Sequence, residues 1–286
     1  MEPDPGAVSP AAAAAAYGID LGHALEVAVK CAELAAQVMR DVPRGLARTK
    51  AHPADVVTDI DVATEEAVRA LLARTFPDHV VVGEELGGSA DLDGGGPTWW
   101  CDPVDGTTNL ASGLPWTSFS LALSVGRVPL VGVVGDPWRH EVLTARADGG
   151  AHQRRPDGSV VAVRASPVQT PEGQVVLTEW ASHVPWPGMV ELLEGLAGQH
   201  CTSRVMGSGT LAIASVGAGR AAGAVIGEFH PEDHLAALLL SAEAGAVVRD
   251  VAGRETRWPV PGPFSVAAPG VDAALRALLR PRPRMP

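Results

Sequence analysis

The stretch Asp102-Pro103-Val104-Asp105-Gly106-Thr107-Thr108-Asn109 carries the densest chemistry of the 286-residue chain. Pro103 fixes its own φ, and Gly106 permits a sharp turn. The run Thr98-Trp99-Trp100-Cys101 before it has the composition of a strand. Both carboxylates can therefore leave the strand end pointing into one crevice, with the Val104 carbonyl free to act as a further oxygen ligand. Hard cations such as Mg²⁺ take oxygen ligands of this kind. A D-x-x-D pair alone is common in turns, but other acids stand around this one. Glu84 and Glu85 follow the apolar run His79 to Val82. Lys50, Asp55, Thr58 and Asp61 lie at the start of a helical pattern, and Asp233 starts a late one. Each has a plainer reading: Asp233 as an N-cap, Asp61 as a first-turn acid, Glu84 and Glu85 as a solvated strand end.

Working outward, apolar residues at Leu21, Leu25, Ala28, Ala32, Ala35 and Met39 predict a helix from Asp20 to Asp41, ended by Pro43 and Gly45. A second helix fits Val62 to Thr75. Gly87 to Pro97 reads as a surface loop. Ser118 to Val125 and Leu130 to Val134 are strands joined by a probable-turn sequence, Gly126-Arg127-Val128-Pro129. Glu141 to Arg146, Val160 to Arg164 and Gln174 to Thr178 continue the strand-rich middle. Helical patterns return at Met189 to Leu196, Ser208 to Val216 and Asp233 to Ala244. Val247, Val248 and Phe264 to Ala267 mark late strands, and Val271 to Leu279 a last helix. Helices and strands come in blocks, which predicts a layered α+β architecture rather than a doubly wound sheet.

With 46% apolar residues the chain can bury a large core. Its net charge is −11 and lysine occurs only at Lys30 and Lys50. Without a basic block it is a poor binder of nucleic acid or anionic membrane. It has no apolar run long enough to span a bilayer. Met1 to Pro10 carry no basic residue, so the start reads as a disordered tail over 1–17 rather than a secretory signal. Residues 18–286 read as a single domain, with a metal-site half over about 18–150 and a C-terminal half over 151–286. Cys31, Cys101 and Cys201 are widely spaced and read as reduced thiols of a cytoplasmic protein.

The chain resembles the inositol monophosphatase family of lithium-sensitive, magnesium-dependent phosphatases. The matching pieces are Lys50-x-x-Pro53-x-Asp55-Val56-Val57-Thr58-x-x-Asp61, Gly83-Glu84-Glu85, the Asp102 to Asn109 loop, Arg204-Val205-Met206-Gly207-Ser208, and Asp233-x-x-Ala236-Ala237 leading to Glu243-Ala244-Gly245. They stand in the family's order. The resemblance implies an αβαβα sandwich of the inositol monophosphatase and fructose-1,6-bisphosphatase type, often a homodimer, using about two or three magnesium ions. Carried over by position, it implies that Glu84, Asp102, Asp105, Asp233 and the Val104 carbonyl hold the metal. Thr107 and Asp61, with Glu84, would orient and deprotonate the attacking water. Gly106 and Thr107 would face the phosphate, Gly207, Ser208 and Gly209 the substrate's sugar-like part, and Lys50 would lie on a mobile loop.

Three positions depart from the family's pattern. Glu232 replaces an aromatic residue before Asp233, Ile226 replaces a glutamate that binds substrate hydroxyls, and Ala222 replaces an aspartate. All three fall where the leaving group should be recognised, and none touches the metal ligands. The implied function is hydrolysis of a small polyol phosphate, an inositol or sugar phosphate. Histidinol phosphate, an aminocyclitol phosphate, fructose bisphosphate and adenosine 3′,5′-bisphosphate are the alternatives. A different class is a non-catalytic interaction protein of the antitermination type. His230 and His234 flank Asp233 at zinc-like spacing, although a capping turn explains them as well. Gly217-x-Gly219-x-x-x-Gly223 follows a helical pattern, not a strand, which argues against a dinucleotide loop. Trp99, Trp100 and Trp116 read as packing around the acidic loop.

Overall fold

The computed structural model describes residues 8–41, 48–49, 56–93, 95–180 and 184–279. A seven-stranded sheet runs, edge to edge, Val80–Gly83, Pro97–Asp105, Ser118–Val125, Val128–Asp136, Glu141–Arg146, Ala151–Arg154, Val160–Ala162. All its pairings are antiparallel except the first, which is parallel. A five-stranded sheet has the order Thr202–Val205, Val175–Thr178, Gly223–Ile226, Phe264–Ala267, Val247–Arg249. Arg48–Thr49 and Val56–Val57 form a separate antiparallel pair.

Helices Leu21–Asp41 and Asp59–Thr75 cover one face of the large sheet. Helices Gly209–Gly217 and Pro231–Glu243 lie between the two sheets, and Met189–Gly198 with Asp272–Leu279 cover the far face of the small one. The result is the αβαβα sandwich. Burial on both faces explains the near-continuous apolar strands. Trp99 and Cys101 point into the outer helical layer while Trp100 points into the middle one; Leu121 and Leu123 alternate with Ala122 in the same way. Trp99 Nε1 donates to His79 Nδ1 at 3.0 Å and Trp100 Nε1 to Ser124 Oγ at 2.9 Å, so both rings pack with their polar edges satisfied. The three cysteines are free thiols, and burial pushes the Cys31 thiol up to about 12.

The middle layer is apolar all round because it is covered on both sides: every residue of Gly209–Gly217 is buried. Small residues let it approach closely. A Cβ on Gly132 would sit 2.7 Å from the Ala236 carbonyl oxygen and 3.0 Å from its Cα. A Cβ on Gly217 would meet Ser241 Cα at 2.9 Å. The first contact holds helix Pro231–Glu243, and hence Asp233, against the large sheet, and the second holds it against helix Gly209–Gly217.

Several elements differ from the sequence reading. Pro10–Ala16 is a helix rather than part of a disordered tail: Ser9 Oγ accepts from the Ala12 N–H at 3.2 Å, Pro10 sits in the first turn, and Ala13 and Ala14 are buried. Thr107–Ser112 is a short helix inside the acidic loop. Strands Ala151–Arg154, Thr202–Val205 and Gly223–Ile226 were not expected. The first two are partly exposed and lack a clear period. The third is four residues of buried small and branched side chains that cannot be told from a helix by pattern. Gly217 and Gly219 do follow a helix. No described helix is long and apolar enough to cross a membrane.

Gly132→Val should lower unfolding free energy by about 1–3 kcal/mol through overpacking against Ala236, read by urea denaturation. Gly198→Ala, whose Cβ would meet nothing within 4 Å, should leave it unchanged or raise it.

Candidate active site

The acidic loop forms where the pairing of Pro97–Asp105 with Ser118–Val125 shifts register between Asp102 and Asp105. Asp102 Oδ1 accepts the Val104 N–H at 2.8 Å, turning the chain. Gly106 follows with φ +89°, and a Cβ there would meet the carbonyl oxygens of Gly207 at 2.9 Å and Trp116 at 3.0 Å. Only glycine satisfies both constraints. Asn109, the last residue of the motif, donates from Nδ2 to Met206 O at 2.7 Å and Trp116 O at 2.9 Å. It pins the loop to the turn that carries Gly207 and Ser208.

Thr107 Oγ1 lies 2.8 Å from Asp61 Oδ1 and 3.0 Å from the Val104 carbonyl oxygen. One hydroxyl proton can serve only one of these acceptors at a time. Asp61 also closes a capping box, its Oδ2 accepting the Thr58 N–H at 2.9 Å. Its plainer role and its site role are therefore both fulfilled. Burial raises the Asp61 carboxyl, opposed by hydrogen bonds from Thr58 and Thr107.

Glu84, Asp102 and Asp233 offer carboxylate oxygens that all lie within 4.8 Å of one another. They come from the turn after Val80–Gly83, the end of Pro97–Asp105 and the first turn of Pro231–Glu243. Asp105 adjoins them, its Oδ2 accepting from Ser208 Oγ at 2.6 Å and Thr210 N–H at 2.7 Å. The Asp233 carbonyl accepts from Ser120 Oγ at 3.1 Å and from Thr210 Oγ1, tying its turn to the large sheet and to the neighbouring helix. Burial first, then Glu84, Asp233 and Asp105, pushes Asp102 well above the carboxylate range. Burial, Glu84, Glu232 and Asp105 do the same to Asp233. Asp105 is raised to about 6, by burial and then Glu179. The crowding disfavours ionising Asp102, Asp105 and Asp233 together, a bound cation would relieve it, and an all-oxygen donor set suits a hard divalent one.

Residues 20–282 match the model of the Inositol monophosphatase family. The chain belongs to the inositol monophosphatase family. Membership makes it a phosphoric monoester hydrolase. It is similar to the inositol-1-monophosphatase of Mycobacterium leprae, 35% identical with 82% of each chain covered. It is also similar to Nus factor SuhB of Pasteurella multocida, 32% identical over 79% of this chain and 83% of that one. Among solved structures, the inositol monophosphatase of Anabaena superposes with a TM-score of 0.76 at 27% identity, covering 91% of this chain and 96% of that one.

The expected substrate contacts take the following places. Ile226 is 2% exposed and packs in the apolar middle layer, so the expectation that it meets substrate is corrected: its strand directs it into the core. Ala222 is likewise buried. Ser208 caps Gly209–Gly217 and holds Asp105, and Gly207, at φ +74°, abuts Asn109. A Cβ on Gly209 would collide with Glu179 and His234. Glu232 is half-buried and raises Asp233. Lys50 and Asp55 lie outside the described residues. His234 Nδ1 accepts the His230 N–H at 3.1 Å, and neither histidine joins the carboxylate cluster, which answers the zinc reading with a capping contact.

Sequence reading missed two acids. Glu65 accepts the Glu85 N–H at 2.8 Å and is itself held by Arg69 Nε at 2.7 Å, so it shapes the turn bearing Glu84. Glu179 stands beside His234, its pKa raised to about 7 by burial. The four-residue spacing of Glu65 and Arg69 was a readable signal; Glu179 gave none.

Asp105 and Glu179, raised to about 6 and about 7, make folding take up protons between about pH 4 and 7, and the raised Asp102 and Asp233 act in the same direction. Their contribution to stability is lost as pH rises through that window. His234, pushed down to about 4 by burial, slopes the other way. In chelator-treated protein, the melting temperature of Asp102→Asn should therefore gain on that of the natural protein as pH rises from about 5 to 7.5. Parallel curves would contradict the crowding.

Proposed function

We propose that the chain is a Mg²⁺-dependent phosphomonoesterase acting on a small polyol phosphate. The observation that carries this reading is the Glu84, Asp102 and Asp233 cluster standing next to the Asp61–Thr107 hydrogen bond. Glu84, Asp102, Asp105, Asp233 and the Val104 carbonyl would hold the cations, which when bound would supply charge to acidify water and to stabilise the leaving oxygen. The protein's own part is positional. Thr107 Oγ1, held by Asp61, would orient the attacking water and pass its proton toward the carboxylate. Gly106 and the first turn of the helix it caps would present backbone N–H groups to the phosphate. Fixed donors of this kind stabilise developing negative charge without rearranging.

Asp102→Asn or Asp105→Asn should lower turnover with excess Mg²⁺ by at least about a hundredfold, and Thr107→Ala should lower kcat by about 10²–10⁴. Near-normal phosphate release from inositol 1-phosphate and a sugar-phosphate panel in all three variants would refute the assignment. Li⁺ at millimolar range should inhibit, by occupying a cation position with less charge. Ile226, buried and apolar, offers no hydroxyl a partner, so inositol 1-phosphate need not be the preferred ester.

The similarity to Nus factor SuhB supports a second reading, binding to a transcription complex in addition to catalysis. Pull-down of RNA polymerase by Asp102→Asn as well as by the natural protein would favour it. The acidity of the chain, −11 overall, weighs against direct RNA contact.

A further inference from the structure

Glu179 has no role in the chemistry above, yet it lies against it. It follows strand Val175–Thr178, and its backbone carbonyl accepts Trp186 Nε1 at 3.1 Å, which fixes the residue. Its side chain is 18% exposed. It is close enough to raise both Asp105 and Asp233, but it stands outside the group of oxygens within 4.8 Å that could share a cation.

Its carboxylate receives no hydrogen bond among the described residues. The nearest candidate, His234 Nε2, is 3.7 Å from Oε1. Because His234 Nδ1 accepts the His230 N–H, the ring proton sits on Nε2. Burial among Phe229 and Phe264 keeps that ring neutral. Glu179 thus has a long, uncharged neighbour where a buried carboxylate needs a donor. Glycine at 209 lets the carboxylate lie against the start of helix Gly209–Gly217, since any Cβ there would strike Glu179 and His234, and its side chain keeps part of its surface exposed. Cations at Glu84, Asp102, Asp105 and Asp233 would neutralise those acids and leave Glu179 with His230, which lowers its carboxyl against burial, and with no hydrogen-bond donor among the described residues. The other acid facing this side, Glu232, is half-buried on the next helix.

We propose that Glu179 reads the alcohol half of the substrate, accepting a hydrogen bond from a hydroxyl or ammonium group it carries. The proposal rests on the phosphatase reading and deepens it. Glu179 would take over the recognition that Ile226, turned into the core, cannot provide. Hydroxyl and ammonium donors share the demand for a buried acceptor but differ in their need for its charge.

The test compares natural enzyme, Glu179→Ala and Glu179→Gln on inositol 1-phosphate, histidinol phosphate and p-nitrophenyl phosphate, the last having no donor on its alcohol half. Glu179→Ala should lower kcat/KM for a donor-bearing ester, relative to p-nitrophenyl phosphate, about tenfold or more, with the loss in KM. The Mg²⁺ concentration for half-activation should stay within about twofold. If the donor is a hydroxyl, Glu179→Gln, which keeps an acceptor, restores most of that ratio. If it is an ammonium, Glu179→Gln does not. An equal fall on all three esters, or a rise in the Mg²⁺ requirement, overturns the proposal in favour of a structural or metal-holding role. If Glu179→Ala does not fold, Glu179→Met, which removes the acceptor and keeps the volume, takes its place with the same expected and contrary results. Absence of turnover of p-nitrophenyl phosphate by the natural enzyme would instead indict the phosphatase reading.

Discussion

Carboxylates that repel one another are held together where three layers of the sandwich meet, and much of the surrounding structure resists that repulsion. Asp102 is fixed by the end of a central strand and by the Val104 N–H. Asp105 is fixed by Ser208 and Thr210, and the turn of Glu84 by Glu65 and Arg69. The turn of Asp233 is anchored through its carbonyl to Ser120 and Thr210. The anchors come from several elements, with Thr210 serving both Asp105 and Asp233, so the cluster exists only when the layers are assembled. The repulsion stored in it makes the site ready for a divalent cation, because the bound charge replaces repulsion with attraction.

The close packing of the middle layer is part of this chemistry. Gly132 and Gly217 let helix Pro231–Glu243 press on the sheet and on its neighbour without intervening side chains. A larger residue at Gly132 would press on Ala236, in the turn next to Asp233, and one at Gly217 on Ser241 near the other end of the helix. Gly106 and Asn109 do the same for the acidic loop. The small residues of the chain are thus positional constraints on charged ones several residues away.

The acidic loop, the long helices and the large antiparallel sheet were legible because their signals are local: alternating or helical periods, and carboxylates clustered after a strand. The sandwich and the partners of the loop came from the family resemblance, since nothing in spacing brings Asp233 to Asp102. Ile226 was misplaced because a position aligned to a substrate contact need not keep its orientation once the side chain becomes apolar; burial then draws it into the core. Glu179 was invisible because an isolated acid at a strand end looks solvated until the fold buries it, whereas Glu65 could have been read from its i,i+4 spacing to Arg69. The Pro10–Ala16 helix was missed because alanines flanked by an acidic, proline-rich start resemble a tail, whereas Ser9 and packing at Ala13 and Ala14 order them.

The most direct measurement is the Mg²⁺ dependence of thermal unfolding at pH 7.5 for the natural protein and Asp102→Asn, both first stripped by chelation. If the buried acids form a cation site under electrostatic strain, stripped Asp102→Asn melts higher than the stripped natural protein. Added Mg²⁺ then raises the natural protein's melting temperature and has little effect on the variant. Equal melting temperatures without metal, together with an equal rise on adding Mg²⁺, would contradict both the strain and the site.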